Sequence, residues 1–346
     1  MIARARLLVL LARPAVVVLL GLFAMTGLAQ GGAGNDASTA VPALVVVMAF
    51  LLCAVVVNDL GDAAIDRINV PGRSLVGVRH RQELVTVAAS SAVVALVVAA
   101  FVRPWAAVVV AGGLGLAVAY SARPMRLADR GAVASLLLPA GYVAVPYLVG
   151  LLAAGGSVGG QDLRLLGGLY LGFVGRILLK DFRDVQGDAL FGKRTFLVRH
   201  GRRATCALSG VCWVLGLVVL LGVRDVSTAL LVGDVALVVV ALGLLRALAV
   251  DRGPRRDEAL IAAVAVVGRG TVVTLVAHLT AADPRLTVAL VALTLGQAVS
   301  WVRIARATAR TSTGSSVRTS STGQPPATGE ATSSFQSSSG VLTLSK

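Results

Sequence analysis

ALVVVMAFLLCAVVVNDLGDAAIDRIN, residues 43–69, decides the fold. A run of apolar residues leads straight into Asn58 and three aspartates, Asp59, Asp62 and Asp66, and then into Arg67. An apolar segment at about 40–58 has the length a helix needs to cross a hydrocarbon core of about 30 Å. Its valines favour strands in water, but in lipid the backbone must satisfy itself within one segment, so helix wins. Aspartate at the centre of a spanning helix costs roughly 2.5–3.5 kcal/mol. The three carboxylates therefore belong at a wet rim where the helix ends.

The rest of the chain has the same character. Of 346 residues, 56% are hydrophobic and only 14% charged, with a mean hydropathy of +0.85. A soluble domain carries about 25% charged residues. Further spans are expected at about 14–30, 84–102, 105–121, 132–153, 165–180, 204–222, 227–249, 259–281 and 286–303, which predicts an all-α polytopic membrane protein with 9–10 transmembrane helices. Arg4 and Arg6 precede the first span, and since more membrane protein follows, that segment reads as a retained helix and not a cleaved signal.

The net charge of +15 would suggest nucleic acid in a soluble protein, but here the basic residues alternate between loops. The 59–82, 122–131, 181–203 and 246–257 loops are rich in arginine and lysine, whereas the intervening loops hold one arginine or none. That alternation predicts cytoplasmic basic loops, with the N-terminus and the aspartates on the cytoplasmic side of the cell membrane and no nucleic-acid partner. Cys53, Cys206 and Cys212 fall in or beside apolar segments and read as small core residues. Residues 1–305 read as the membrane domain. Residues 306–346, rich in Ser, Thr and Gly with Pro325-Pro326, read as a disordered cytoplasmic tail without chemistry.

The pattern D-x-x-D-x-x-x-D occurs twice: at Asp59, Asp62 and Asp66, and at Asp181, Asp184 and Asp188. Each copy is followed by Val-Arg-His, at Val78-Arg79-His80 and Val198-Arg199-His200. Positions i, i+3 and i+7 of a helix fall within about 60° of one another. Three carboxylates so aligned repel each other and face the negative end of the helix dipole. A bound cation resolves both problems, and hard oxygen ligands that leave open positions suit Mg²⁺ with substrate phosphates.

The sequence resembles the UbiA superfamily of intramembrane prenyltransferases. Asn58, Asp62 and Asp66 match its first motif, Asp184 and Asp188 within Lys180–Asp188 match its second, and Tyr120–Leu127 (YSARPMRL) resembles its Y-S-x-x-P-x-R-L segment. The likeness runs over about residues 7–303. It departs at Arg73-Ser74, where many members have Arg-Pro, and at Ala128-Asp129, where a lysine often follows. The resemblance implies a horseshoe of helices around a central cavity capped by two Asp loops. It implies Mg²⁺ and a prenyl diphosphate held by the aspartates, with the tail in a cavity open to membrane lipid.

On that reading the Mg²⁺ ligands are Asn58, Asp59, Asp62, Asp66, Asp181, Asp184 and Asp188, and the diphosphate contacts are Arg67, Arg126, Arg176 and Lys180. Metal and basic side chains would stabilise the charge that develops as the C–O bond breaks, and a dry pocket would keep water from the allylic cation. The cation would pass to a lipid-soluble acceptor, an aromatic compound or quinone precursor. Tyr120, Tyr142, Tyr147 and Tyr170 are candidates to line the cavity, although Tyr147 and Tyr170 serve equally well as packing or interface residues. Arg269 lies mid-span, where it either functions or pairs with a neighbouring helix. His80, His200 and His278 have no metal-like spacing. Two other functions compete: a membrane terpene cyclase of the same superfamily, and a transporter, which would place its acidic residues within spans.

Overall fold

The computed structural model describes residues 14–34, 36–62, 78–182, 185, 195–223, 226–280, 288, 291–292 and 295–296, all within one compact unit, Met1–Trp301. Every regular element among them is a helix. These are α1 (Pro14–Gln30), α2 (Ala37–Gly61), α3 (Val78–Val102), α4 (Pro104–Ser121), α5, α6 (Gly160–Ile177), α7 (Phe196–Leu221), α8 (Thr228–Leu248) and α9 (Pro254–Leu279). Helix α5 is composite: Ala132–Pro139, a π-helical turn at Ala140–Ala144, and Val145–Ala153.

Seven described helices are long and apolar enough to cross a membrane: α2, α3, α4, α5, α7, α8 and α9. Helix α1 is shorter, and α6 carries Asp162, Arg164 and Arg176. Their surfaces agree with a lipid surround, since Phe101 and Trp105 at the α3–α4 turn are 87% and 71% exposed, as suits aromatic side chains at a membrane interface. Most of the tenth expected span and the whole of the expected tail lie outside the described residues.

The expected horseshoe is found in the order of neighbours. Helix α2 packs on α3, α4 and α5; α5 meets α6; α6 lies on α7, α7 on α8 and α8 on α9; and α9 returns to α1, which also packs on α2 and α5. The α1–α5 contact is close enough that a Cβ on Gly27 would strike the Tyr147 carbonyl, and one on Gly150 the Ala24 carbonyl. Small residues permit this approach, and in lipid, packing of this kind replaces the hydrophobic drive between helices.

Local signals set the helix ends. Asp36 caps α2, accepting from the Ser38 amide at 3.0 Å as N-cap aspartates do. Hydrogen bonds from the Thr39 and Ser38 side chains hold its carboxyl below the usual carboxylate range. Helix α3 runs on through Val78-Arg79-His80 and Arg81, but the matching run in α7 breaks at Gly201. There φ is 77°, a conformation glycine adopts without the Cβ penalty that arginine would meet.

One boundary corrects the sequence reading. The sixth span was expected to run to residue 180, yet α6 ends at Ile177. Beyond it the ladder tightens to i→i−3 bonds, with Lys180 N–H donating to the Ile177 carbonyl and Phe182 N–H to that of Leu179. A tightened last turn satisfies terminal carbonyls.

Candidate active site

The first acidic motif closes α2. Asn58 and Asp59 lie in its last turn and Asp62 is its C-cap, with the Asp62 amide donating to the Asn58 carbonyl at 2.9 Å. Asp59 is buried at 9% exposure, and the Asp62 side chain is 19% exposed. The Tyr120–Leu127 segment lies against this helix end. A Cβ on Gly61 would come within 2.7 Å of the Ser121 carbonyl, so the ends of α2 and α4 touch backbone to backbone.

That contact positions Arg126. Its Nη1 donates to the Gly61 carbonyl at 3.2 Å and its Nη2 to Asp62 Oδ1 at 3.2 Å. Its Nε lies 2.6 Å from Asp129 Oδ2, an ion pair that lacks hydrogen-bond alignment. Arg126 adopts φ 33°, ψ 60°, a left-handed conformation that costs a non-glycine residue about 1–2 kcal/mol. The contacts made by the guanidinium offset that strain, because a cation at a helix C-terminus meets both orphan carbonyls and the negative dipole end.

One turn before Asp62, at Asn58, a cavity opens between α2, α4 and α5. Asn58, Tyr120 and Tyr142 give its polar edges, and Phe50, Leu116 and Leu137 are among its apolar walls. Gly141 and Tyr142 belong to the π turn of α5. The extra residue of a π turn shifts the side-chain register and often marks a functional site.

The Tyr142 ring stacks on Phe173 of α6 at 5.9 Å, and Phe173 meets Phe23 edge-on at 6.2 Å. Phe173 also lines a second cavity among α1, α6, α7, α8 and α9. Arg176 lies over the Phe173 ring at 5.7 Å and lines this second cavity with Trp213 and Asp234.

The four tyrosines thus divide. Tyr120 and Tyr142 face the front cavity. Tyr147 is fully buried and donates to Asp162 Oδ1 at 2.6 Å, and Tyr170 donates to the Leu136 carbonyl. Those two join helices.

Less of the second motif is described. Asp181 is buried and Lys180 exposed, whereas Asp66, Arg67, Asp184 and Asp188 lie outside the described residues. Its surroundings contain a contact that sequence spacing could not reveal. Arg202 donates from Nη1 to the Leu248 carbonyl at 2.8 Å and to Asp257 Oδ1 at 3.0 Å, and from Nη2 to Asp257 Oδ2 at 2.5 Å. Its guanidinium sits 5.0 Å from the centre of the Phe182 ring. Arginine and carboxylate here are 55 positions apart.

Among the described residues no three His, Cys, Asp or Glu side chains cluster closely enough to hold a metal ion. The oxygen donors at the end of α2 nevertheless fit Mg²⁺, which takes one or two carboxylates and completes its shell with water and substrate phosphate.

The UbiA prenyltransferase family model matches residues 17–267. The bacteriochlorophyll synthase 34 kDa chain of Chloroflexus aurantiacus is 31% identical over 44% of this chain and 50% of its own length. The digeranylgeranylglyceryl phosphate synthase of Methanoregula boonei is 31% identical over 58% of this chain and 70% of its own. The match to the first relative thus spans about half that protein's length. A UbiA homologue from Archaeoglobus fulgidus, solved bound to GPP and Mg²⁺, superposes with a TM-score of 0.54 at 16% identity, covering 76% of this chain and 98% of that one. That structure shares the fold, and with the family match running from α1 into α9 the chain belongs to the UbiA prenyltransferase family.

Proposed function

We propose that this protein transfers a prenyl group from a prenyl diphosphate to a lipid-soluble acceptor, in a membrane domain of residues 1–305 whose active site faces the cytoplasm. The observation that carries the reading is Arg126 joined to Asp62 at the end of α2, whose preceding turn presents Asn58 to an apolar cavity with an aromatic wall. The names of the relatives support it: both synthases act on isoprenoid-related compounds, and the Archaeoglobus fulgidus homologue was solved with GPP and Mg²⁺.

Asn58, Asp59, Asp62 and Asp66 from the first motif, with Asp181, Asp184 and Asp188 from the second, would hold Mg²⁺. When bound, the ion supplies Lewis-acid stabilisation of the diphosphate oxygens. The chain's own groups do the rest. Arg126, with Arg67 and Lys180, offers positive charge to the leaving diphosphate as the allylic C–O bond breaks and its electron pair goes to oxygen. Tyr120 and Tyr142 turn their rings to the cavity in which the C1 cation forms, where a ring face within about 6 Å attracts positive charge. Phe50, Leu116 and Leu137 exclude water, so the cation is trapped by the acceptor nucleophile, which then loses a proton.

The test is diphosphate release by the purified full-length protein from C10, C15 and C20 prenyl diphosphates, with and without aromatic or quinone-precursor acceptors. Acceptor-dependent release that stops with EDTA and returns with Mg²⁺ is expected. A cyclic product formed without acceptor would replace transfer by cyclisation. Absence of release from every donor would favour a transporter.

A further inference from the structure

Arg176, expected from the sequence as a diphosphate contact, lines the second cavity and not the one that Asn58 lines. Beside it, Arg269 follows Gly268 on α9, and Gly268 is itself a lining residue. Among the described residues neither arginine forms a salt bridge. Arg269 is only 4% exposed and its Nε has no hydrogen-bond partner. Trp213, a cavity-lining residue also 4% exposed, has an indole N–H equally without one. The cavity's carboxylate, Asp234, is engaged by the Thr274 hydroxyl at 2.6 Å. One buried and one half-buried cation, one committed carboxylate and an unused N–H make a site rich in donors and short of acceptors.

Such a set has no packing rationale. Buried polar groups are normally paired, and charges inside a membrane protein mark ligand sites by default. Gly268 leaves the room, since a Cβ there would lie 2.7 Å from Arg176 Cδ and 3.2 Å from the Trp213 ring. The group that completes the site is an oxyanion: it accepts from guanidinium and indole N–H together and balances the excess positive charge.

We propose that this cavity binds the carboxylate or phosphate of an amphiphilic ligand. We identify that ligand as the prenyl acceptor, a step that rests on the function proposed above. The Tyr142–Phe173 stack forms the partition between the two cavities, so an acceptor anchored behind it could reach past the rings toward the prenyl group.

The probes are dodecyl phosphate and its neutral analogue dodecanol, titrated into full-length protein in micelles. Dodecyl phosphate is expected to bind wild type at least tenfold more tightly than Arg269→Gln, with dodecanol binding both alike. Trp213→Phe keeps the ring and removes the N–H, and should weaken dodecyl phosphate about threefold even if Arg269→Gln fails to fold. Asp62→Asn should bind it as wild type does. Equal affinity in wild type and Trp213→Phe, or loss of binding in Asp62→Asn, would overturn the site. Displacement by phosphatidylglycerol but not by acidic aromatic acceptors would overturn the acceptor as its source. Geranyl diphosphate with Mg²⁺ should bind Arg269→Gln unchanged. If wild type releases no diphosphate yet holds dodecyl phosphate through Trp213, the proposed function falls and the anion site stands.

Discussion

Arg126 and Arg202 make the same kinds of contact at two different helix ends and differ in which carboxylates they touch. Each donates to a carbonyl at the C-terminal end of a helix, Gly61 of α2 and Leu248 of α8. Each sits between carboxylates, Asp62 and Asp129 for Arg126, Asp257 and Asp251 for Arg202. Arg126 engages a motif aspartate directly, whereas among the described residues Arg202 engages only non-motif carboxylates and reaches the second motif through the Phe182 ring. On the function proposed above, the first arginine belongs to the chemistry. The second is a brace that ties α7, α8 and α9 beside it.

The comparison breaks most visibly at its acidic partners. Asp62→Ala should lower kcat/KM for diphosphate release about 10³-fold with little change in melting temperature, whereas Asp257→Ala should leave kcat within a few-fold of wild type. If both substitutions cut kcat alike, the division is wrong. Arg126→Ala comes next, with a loss of about 10²-fold in kcat/KM, the scale of losing one preorganised donor to a developing oxyanion. Arg126→Lys should recover only part of that, since an ammonium cannot span the Gly61 carbonyl and Asp62 as the planar fork does.

Arg202→Met should act on stability. Removing one partner of a buried pair costs about 3–5 kcal/mol, and the Arg202 side chain is 22% exposed, so about 2 kcal/mol is expected after solvent screening. Denaturation of Arg202→Met, Asp257→Asn and the double variant measures the coupling, and the double should lose no more than the larger single. A purely additive result would remove Arg202 from the brace.

This division also explains what the sequence could tell. Asn58, Asp62, Tyr120 and Arg126 stood out because they lie in short patterns that resemble the family's motifs, and the folded chain brings Asp62 to Arg126 across 64 positions. The helices were legible because apolar length alone identifies a span. The end of α6 was not, since an apolar stretch continues past Ile177 while the hydrogen-bond ladder changes type. The π turn in α5 left only Pro139 and Pro146 as signals, and proline alone does not say which neighbour is re-aimed. Arg202 looked like one more basic residue on the cytoplasmic side, because its partners are set by tertiary packing and no local rule pairs it with Asp257.

The smallest expected effect tests how tightly the front half holds its arginine. Gly61→Ala removes no charge and no donor, but its methyl would meet the Ser121 carbonyl at 2.7 Å. Backbone cannot yield as a flexible side chain can, so α2 and α4 must separate by a few tenths of an ångström, at a cost of about 1–3 kcal/mol. Arg126 is carried by the loop that follows α4, and its bonds to Gly61 and Asp62 are already 3.2 Å long, so that shift lengthens both. The expected outcome is a three- to tenfold fall in kcat/KM for diphosphate release, with a rise in KM for the donor. Gly201→Ala, strained at positive φ beside Arg202, should lower the melting temperature and leave KM unchanged. A donor KM that moves equally in both variants would mean that the two arginines share one role.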